Sequence, residues 1–397
     1  MTGGEVPVGR RVAQWRVRRR MTQQMLADRL GKSKSWVDKV ERGVRALDRF
    51  SVIQDVARVL RVEPAALLGG EKPPPARADE GVDGVRTALA RYDLCPAGPD
   101  RRSSTATDEL GRRVDHACSA YRHARYPQVL HLVPELLDAT RHAYAAGGRD
   151  GTDGLLVRAY RITASVLVKL GEPDLAWLAA DRAVTVAADC PRWTAVAAVP
   201  LGQALRAAGR GRLATTVTVA AAHRIGVAAR PGPPVEPALS GTLWVEAALA
   251  AASCGDARSA AEWLGVAAGI AGRADPRLDP HLDGFGPAAV QVAHVAVAVE
   301  LGDGGEAVSR HETAIRSEGW RWLPVEHRAA HLVDAARAYL QIGDLLRAGR
   351  ALTEADRLAP AEVRMRPAAR TVLAEVARGG PAPAGVTHLA TAVGLTR

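Results

Sequence analysis

The chain of 397 residues is 47% hydrophobic and 24% charged, with a formal net charge of +10. That length exceeds one core, since cores stop growing at about 250 to 300 residues, and that composition excludes fibrous and wholly disordered classes. The charge is uneven: residues 1–70 hold 15 Lys and Arg against 7 Asp and Glu, whereas residues 71–397 hold 38 against 36. Concentrated positive charge is the footprint of a polyanion site, and the acidic residues interspersed within it favour a folded basic face over a polybasic membrane tail.

The N-terminus MTGGEVPVGRR lacks the apolar core of a signal peptide. The most apolar stretch, Pro287 to Leu301, contains His294 and Glu300 and falls short of the ~20 residues that span a bilayer. Cys95, Cys118, Cys190 and Cys254 are scattered, with no CxxC and no His at ligand spacing, so neither a disulfide framework nor a zinc site is expected. The expectation is a soluble cytoplasmic protein with no membrane partner, no metal and no cofactor.

Apolar residues first recur at helical spacing in five short blocks: Val8, Val12 and Trp15; Leu26 and Leu30; Val37 and Val40; Ile53, Val56, Ala57 and Leu60; Leu67 and Leu68. Five short helices make one small domain over residues 1–69. Thr22, Ser33 and Asp48 mark helix starts, because their side-chain oxygens can accept from the exposed N–H groups of the following turn, and Gly31 and Gly43 mark helix ends. Residues 70–82, GEKPPPARADEGV, have the Pro, Gly and charge of a linker. A second break rich in Pro, Gly, Ser and Thr runs from Cys95 to Thr107 and isolates a short helix at Val85 to Tyr92, so residues 70–107 are expected to be a linker carrying that helix.

From about Asp108 the sequence is alanine-rich and helical throughout. With Gly171, Gly209, Gly255, Gly302 and Gly343 as origins, an alanine follows five residues on (Ala176, Ala214, Ala260, Ala307, Ala348) and another twelve residues on (Ala183, Ala221, Ala267, Ala314, Ala355). A small residue in a turn and two alanines where helices cross is what a stacked helical hairpin demands, because larger side chains would hold the helices apart. A further unit upstream begins near Asp108, with Ala124, Arg125 and Tyr126 in the turn. The pattern resembles the tetratricopeptide repeat, in a degenerate form with longer helices or loops than its 34-residue period. The fold class is therefore all-α: a helix-turn-helix domain, then an α-solenoid of about six hairpins over residues 108–378 and a tail at 379–397 with a short helix.

The segment from Val8 to Gly43, followed by RFSVIQDVARVLRVEPAALL, closely resembles the helix-turn-helix of the Cro and phage-repressor (Xre) type. The elements that carry the resemblance are Thr22-Gln23, Leu26-Ala27, Gly31, Val37, Val40 and Glu41-Arg42-Gly43. It departs from that family at Arg20, where glycine is frequent. With Val37 and Val40 inward, Lys34, Ser35, Asp38 and Lys39 fall on the outward face of a recognition helix at 33–42, which fits the major groove with its N-terminal residues at the base edges. By position the resemblance makes Lys34, Ser35 and Lys39 the base readers, gives Gln23 a phosphate contact, and makes Arg16 and Glu41 a structural ion pair; Ser33, at the start of the recognition helix, is counted with the DNA-binding residues. Three of the five lysines in the chain, Lys32, Lys34 and Lys39, lie in this stretch. Arg42 and Arg45 suit phosphates, and Trp36 either meets sugar or a thymine methyl or covers the edge of the small core.

A helix-turn-helix followed by a tetratricopeptide-like array resembles the peptide-responsive regulators of Gram-positive bacteria and a set of actinobacterial transcriptional regulators. The stretches DGFGPAAVQVAHVAVAVELGDGGEA and WRWLPVEHRAAHLVDAARAYLQIGD are similar to the latter part of the actinobacterial proteins. That resemblance implies a nucleoid-associated regulator that binds a double-stranded DNA operator. It also implies a homodimer through the repeat domain, with a small peptide or small-molecule effector. Effector candidates are Gln291 and His294, polar groups within an otherwise apolar helix, and Trp320 and Trp322 ahead of Pro324. The competing reading is a protein-interaction scaffold or adaptor whose helix-turn-helix no longer reads DNA. Asp275, Asp279 and Asp283, four apart and broken by Pro276 and Pro280, form a connector and not a calcium loop. No HExxH, GxSxG, P-loop or Cys/His pairing is present, so an enzyme is not expected.

Overall fold

The computed structural model describes residues 8–18, 21–45, 50–60, 77–91, 107–146, 151–187, 190–228, 235–272, 284–379 and 384–395. Arg20, the cap expected at Asp48, the fifth helix expected at Leu67 and Leu68, most of the Cys95 to Thr107 break and the Asp275 to Asp283 connector lie outside the described residues. The chain divides into two compact units, Met1–Ala76 and Arg77–Arg397, and every described element is helical.

In the first unit, α1 (Val8–Arg18), α2 (Gln23–Leu30), α3 (Lys34–Glu41) and α4 (Phe50–Leu60) surround a small core. Val12, Leu26, Ala27, Val37, Val56 and Leu60 are buried in it, and each large side chain contributes roughly 1.5–3 kcal/mol by leaving water. Thr22 caps α2 by accepting from the Met25 N–H at 3.1 Å, and Ser33 caps α3 by accepting from the Trp36 N–H at the same distance. Gly31 takes the left-handed φ of 62° that ends α2 and turns the chain toward α3.

The second unit is a stack of antiparallel helical hairpins. They are α6 (Thr107–Arg122) with α7 (Tyr126–Ala145), α8 (Thr152–Lys169) with α9 (Pro173–Ala187), and α10 (Pro191–Ala207) with α11 (Gly211–Ala228). Three more follow: α12 (Val235–Ser253) with α13 (Ala257–Ala271), α14 (Pro287–Leu301) with α15 (Gly304–Ala314), and α16 (Val325–Gln341) with α17 (Leu345–Leu358). A 3-10 turn, Glu318–Trp322, precedes α16, and α18 (Pro360–Arg364), α19 (Pro367–Arg378) and α20 (Ala384–Ala392) close the chain.

The five origin glycines all sit in the hairpin turns with φ between 73° and 83°, a conformation in which any Cβ would crowd the following carbonyl. The alanines five and twelve residues on are buried where the two helices cross. The first hairpin meets the same geometric demand without glycine: Ala124 turns with φ 53°, as the one described non-glycine residue with positive φ.

Residues 77–91 differ from the linker reading. The helix there, α5, runs Arg77–Ala90, eight residues earlier than expected at its start, and packs on α7 through Val82, Val85, Ala88 and Leu89. Those four apolar side chains recur at 3, 3 and 1 residue spacings, so the DEGVDG composition that looks like linker carries one buried stripe.

Candidate nucleic-acid interface

Helix α3 is held from three sides. Val37 and Val40 face the core, and Gly9 of α1 lies so close to the end of α3 that a Cβ on it would stand 2.0 Å from the Val40 carbonyl oxygen. The third hold is electrostatic. Arg16 Nε donates to Glu41 Oε1 at 2.6 Å and its second terminal nitrogen donates to Glu41 Oε2 at 3.0 Å, a bidentate pair. The other terminal nitrogen of Arg16 donates to the Met21 carbonyl at 2.8 Å, which ties the α1–α2 connection to the same guanidinium. The hydrogen bond to Glu41 raises the Arg16 pKa further above its ordinary range, against a smaller opposing effect of burial.

Gln23 joins this frame. Its Nε2 donates to Glu41 Oε2 at 2.9 Å, so the amide expected at a phosphate is turned inward onto the carboxylate that Arg16 also holds. One Glu41 side chain thereby fastens the start of α1–α2 and the first residue of α2 to the end of α3.

What this frame leaves outward is a short basic face. Lys32, Ser33, Lys34, Ser35 and Lys39 are exposed, as are Arg42 and Arg45. Among the described residues neither Lys34 nor Lys39 has a carboxylate within salt-bridge distance, whereas Arg42 lies 3.4 Å from Asp38, one turn back. Ser33 spends its hydroxyl acceptor on the helix cap but keeps its own proton to donate. Trp36 is half-buried and packs against the small core. Gly9, the Met21 carbonyl and the inward turn of Gln23 were not visible as parts of this site; only a glycine inside an otherwise helical pattern hints at close approach.

Residues 7–68 match the helix-turn-helix domain family. No curated protein matches the sequence at a significant level. Among solved structures, that of Bacillus thuringiensis PlcR in complex with the peptide PapR7 and DNA is 12% identical. The match covers 78% of this chain and 93% of that one, at a TM-score of 0.36. The hetero-tetramer Cut9-Hcn1 of APC/C is 14% identical over 96% of this chain and 73% of that one, at a TM-score of 0.26. These likenesses are too distant to carry an argument about function.

The effector candidates are not brought together by any contact among the described residues. Gln291 is half-buried on α14, and its Oε1 has no hydrogen-bond partner among the described residues. His294, also half-buried, has its pKa lowered by burial and by Arg310. Trp320 instead meets His331 edge-on, with ring centroids 5.2 Å apart, and His331 in turn contacts His311 through a 2.8 Å hydrogen bond between ring nitrogens. Trp322 is 61% exposed. Clefts of about 570 Å³ (Arg350, Thr353, Glu354, Arg357, Leu358, Gly385) and about 300 Å³ (Glu109, Arg112, Arg113, His116, Leu132, Leu136) include none of the four. No helix among the described residues is long and apolar enough to cross a membrane.

Proposed function

We propose that the first unit binds duplex DNA with α3 in the major groove and that the chain is a transcriptional regulator. The observation that supports this most is the pairing of a rigidly held α3 with lysines that no described carboxylate neutralises. Lys34, Ser35 and Lys39 supply donors at the base edges, where lysine suits guanine O6 and N7. Arg42 and Arg45 supply phosphate contacts, with Asp38 orienting Arg42 and Trp36 backing the helix from the core. Gln23 acts chiefly through Glu41, on the attitude of α3.

One such helix spans only a few base pairs, so two copies working on half-sites about 34 Å apart are required for a selective operator. The repeat array is the part of the chain large enough to pair them. An effector is proposed to act on the array near Gln291, whose Oε1 is buried and lacks a partner among the described residues, with His294 three residues on.

Binding of the full chain to random and to selected duplexes across a salt series tests the reading. A regulator gives a steep salt slope and selected sites at least ~10³ tighter than random. Lys34→Ala then costs ~1–3 kcal/mol and relaxes preference at particular bases, while Gln23→Ala weakens all sites alike. Equal affinity for both pools leaves the chain an interaction scaffold with a helix-turn-helix fold.

A further inference from the structure

An open solenoid places each repeat against its neighbours alone. This array does something else: its last helices return to its first. Ala329 of α16 and Ala359 ahead of α18 belong to the same core as α5 to α12, with Val325, Leu358, Ala361 and Met365 packed against it. The turn after α8 abuts the start of α19, where a Cβ on Gly171 would stand 2.8 Å from Pro367.

At the centre of that return lies a buried group of charges. Lys169, the last residue of α8, pairs with Glu326 in the first turn of α16, and its Nζ lies 2.8 Å from Oε1 of Glu362 on α18. Arg366 approaches the other Glu362 oxygen at 3.2 Å, and the Tyr126 hydroxyl, at the start of α7, donates to Oε1. Glu362 is fully buried and Glu326 is 4% exposed. His327 Nε2 stands 3.4 Å from the outer oxygen of Glu326.

Two carboxylates face one ammonium and one guanidinium, so the group is neutral as a whole. Cation and anion also sit at the helix ends that favour them, Lys169 at a C-terminus and Glu326 at an N-terminus. Burial alone would strip the proton from Lys169, yet Glu326 and Glu362 override it and leave its pKa above the ordinary value.

We propose that Tyr126, Lys169, Glu326, Glu362 and Arg366 form a clasp that fastens the two ends of the repeat array, and that the array opens at this joint in preference to any hairpin interface. Other interfaces between hairpins carry smaller polar links, Gln203 and Arg206 with Glu246 and Arg337 with Glu300, set among apolar contacts, so opening one returns fewer charges to water. Opening the clasp returns four charges to water, which offsets much of what their mutual attraction contributes. A joint of that kind is tight while balanced and weak once one member is lost, because the remaining charges are then buried without compensation.

Hydrogen exchange of the full chain, read peptide by peptide, tests the proposal together with solution X-ray scattering. In the unmodified chain, amides at 126–130, 166–170, 325–330 and 360–367 should open at lower denaturant than those of α10 to α13. Glu362→Gln and Lys169→Met should each speed exchange at the joint about a hundredfold or more, leave α10 to α13 protected and enlarge the radius of gyration. The double variant, which restores neutrality, should regain part of that protection. Overturning results are exchange and size unchanged in both single variants, or acceleration spread evenly through α10 to α13. Should neither single variant fold, the unmodified chain decides, since joint amides that exchange only with global unfolding also defeat the proposal.

Discussion

The two units handle charge in opposite ways. In the array most charged groups answer one another: Arg113 with Glu135, Arg337 with Glu300 and Asp334, Arg364 with Asp356, and the buried group around Glu362. In the first unit one bidentate pair, Arg16 with Glu41, is drawn inward and the lysines of α3 are left without described partners. A surface that satisfies its own charges has little to offer a polyanion, while one that hides a carboxylate and shows its lysines does. The contrast therefore rests on where the carboxylates are placed more than on the number of basic residues.

The largest expected effect separates the units by pH. No histidine lies in residues 1–76, whereas the array buries His331 against His311 and Trp320, with Tyr339 edge-on to His311 in turn. Burial, with the neighbouring His311 adding to it, pushes the His331 pKa down from 6.5 to about 3, only partly opposed by Asp334. The unfolded chain then takes up a proton between pH 6.5 and 3 that the folded chain refuses, so array stability falls as pH falls through that window. At most the loss approaches about 5 kcal/mol. Denaturant midpoints followed from pH 7 to pH 4 should show it, and His331→Phe should flatten the upper part of the slope. A slope unchanged by that substitution would assign the acid sensitivity to His311 and His294, whose pKa values burial also lowers, and to carboxylates such as Glu362. Lys169 and Arg366 outweigh burial there and hold the pKa below its ordinary value, which gives the same sign at lower pH.

Next in size is the frame of α3. Glu41→Ala leaves Arg16, whose side chain is 14% exposed, without its carboxylate and removes the acceptor of Gln23. The first unit should lose about 3 kcal/mol, measured as faster amide exchange in residues 8–60 with the array unaffected. Gly9→Ala tests the same frame sterically, since the added methyl would meet the Val40 carbonyl and force α1 away from α3. If both variants left exchange in α3 unchanged, α3 would be fixed by its apolar side alone.

What could be read from the chain in advance depended on how local the signal was. The caps Thr22 and Ser33 and the turn at Gly31 depend on contacts within three or four residues, and they stand where the pattern put them. The glycine and alanine offsets of the hairpins are local in the same sense, because turn and crossing are fixed by one hairpin. Gln23 shows the limit. Its position in the motif places it beside α3, but which way the amide turns is decided by Glu41, eighteen residues on. The charges around Glu362 had no local mark at all: Tyr126 and Glu362 are 236 residues apart, and Lys169 reads as an ordinary helix-end lysine. Trp320 likewise carries no local sign of His331, which α16 brings against it.

The smallest expected effect tests whether the hairpin rule extends to the first unit of the array. Its turn places Ala124 at φ 53°, where the other five hairpins have glycine. The left-handed conformation costs an alanine roughly 1–2 kcal/mol. Glycine escapes that cost but gives up more freedom on folding, by roughly 0.5–1 kcal/mol. Ala124 is also buried, so its methyl contributes a little that glycine would lose. The balance predicts that Ala124→Gly stabilises the array by about 0.5 kcal/mol, read as a higher denaturant midpoint at unchanged slope. A clear destabilisation would mean that packing around the Ala124 methyl outweighs backbone strain, and that this first turn is held by its neighbours where the other five are held by their glycines.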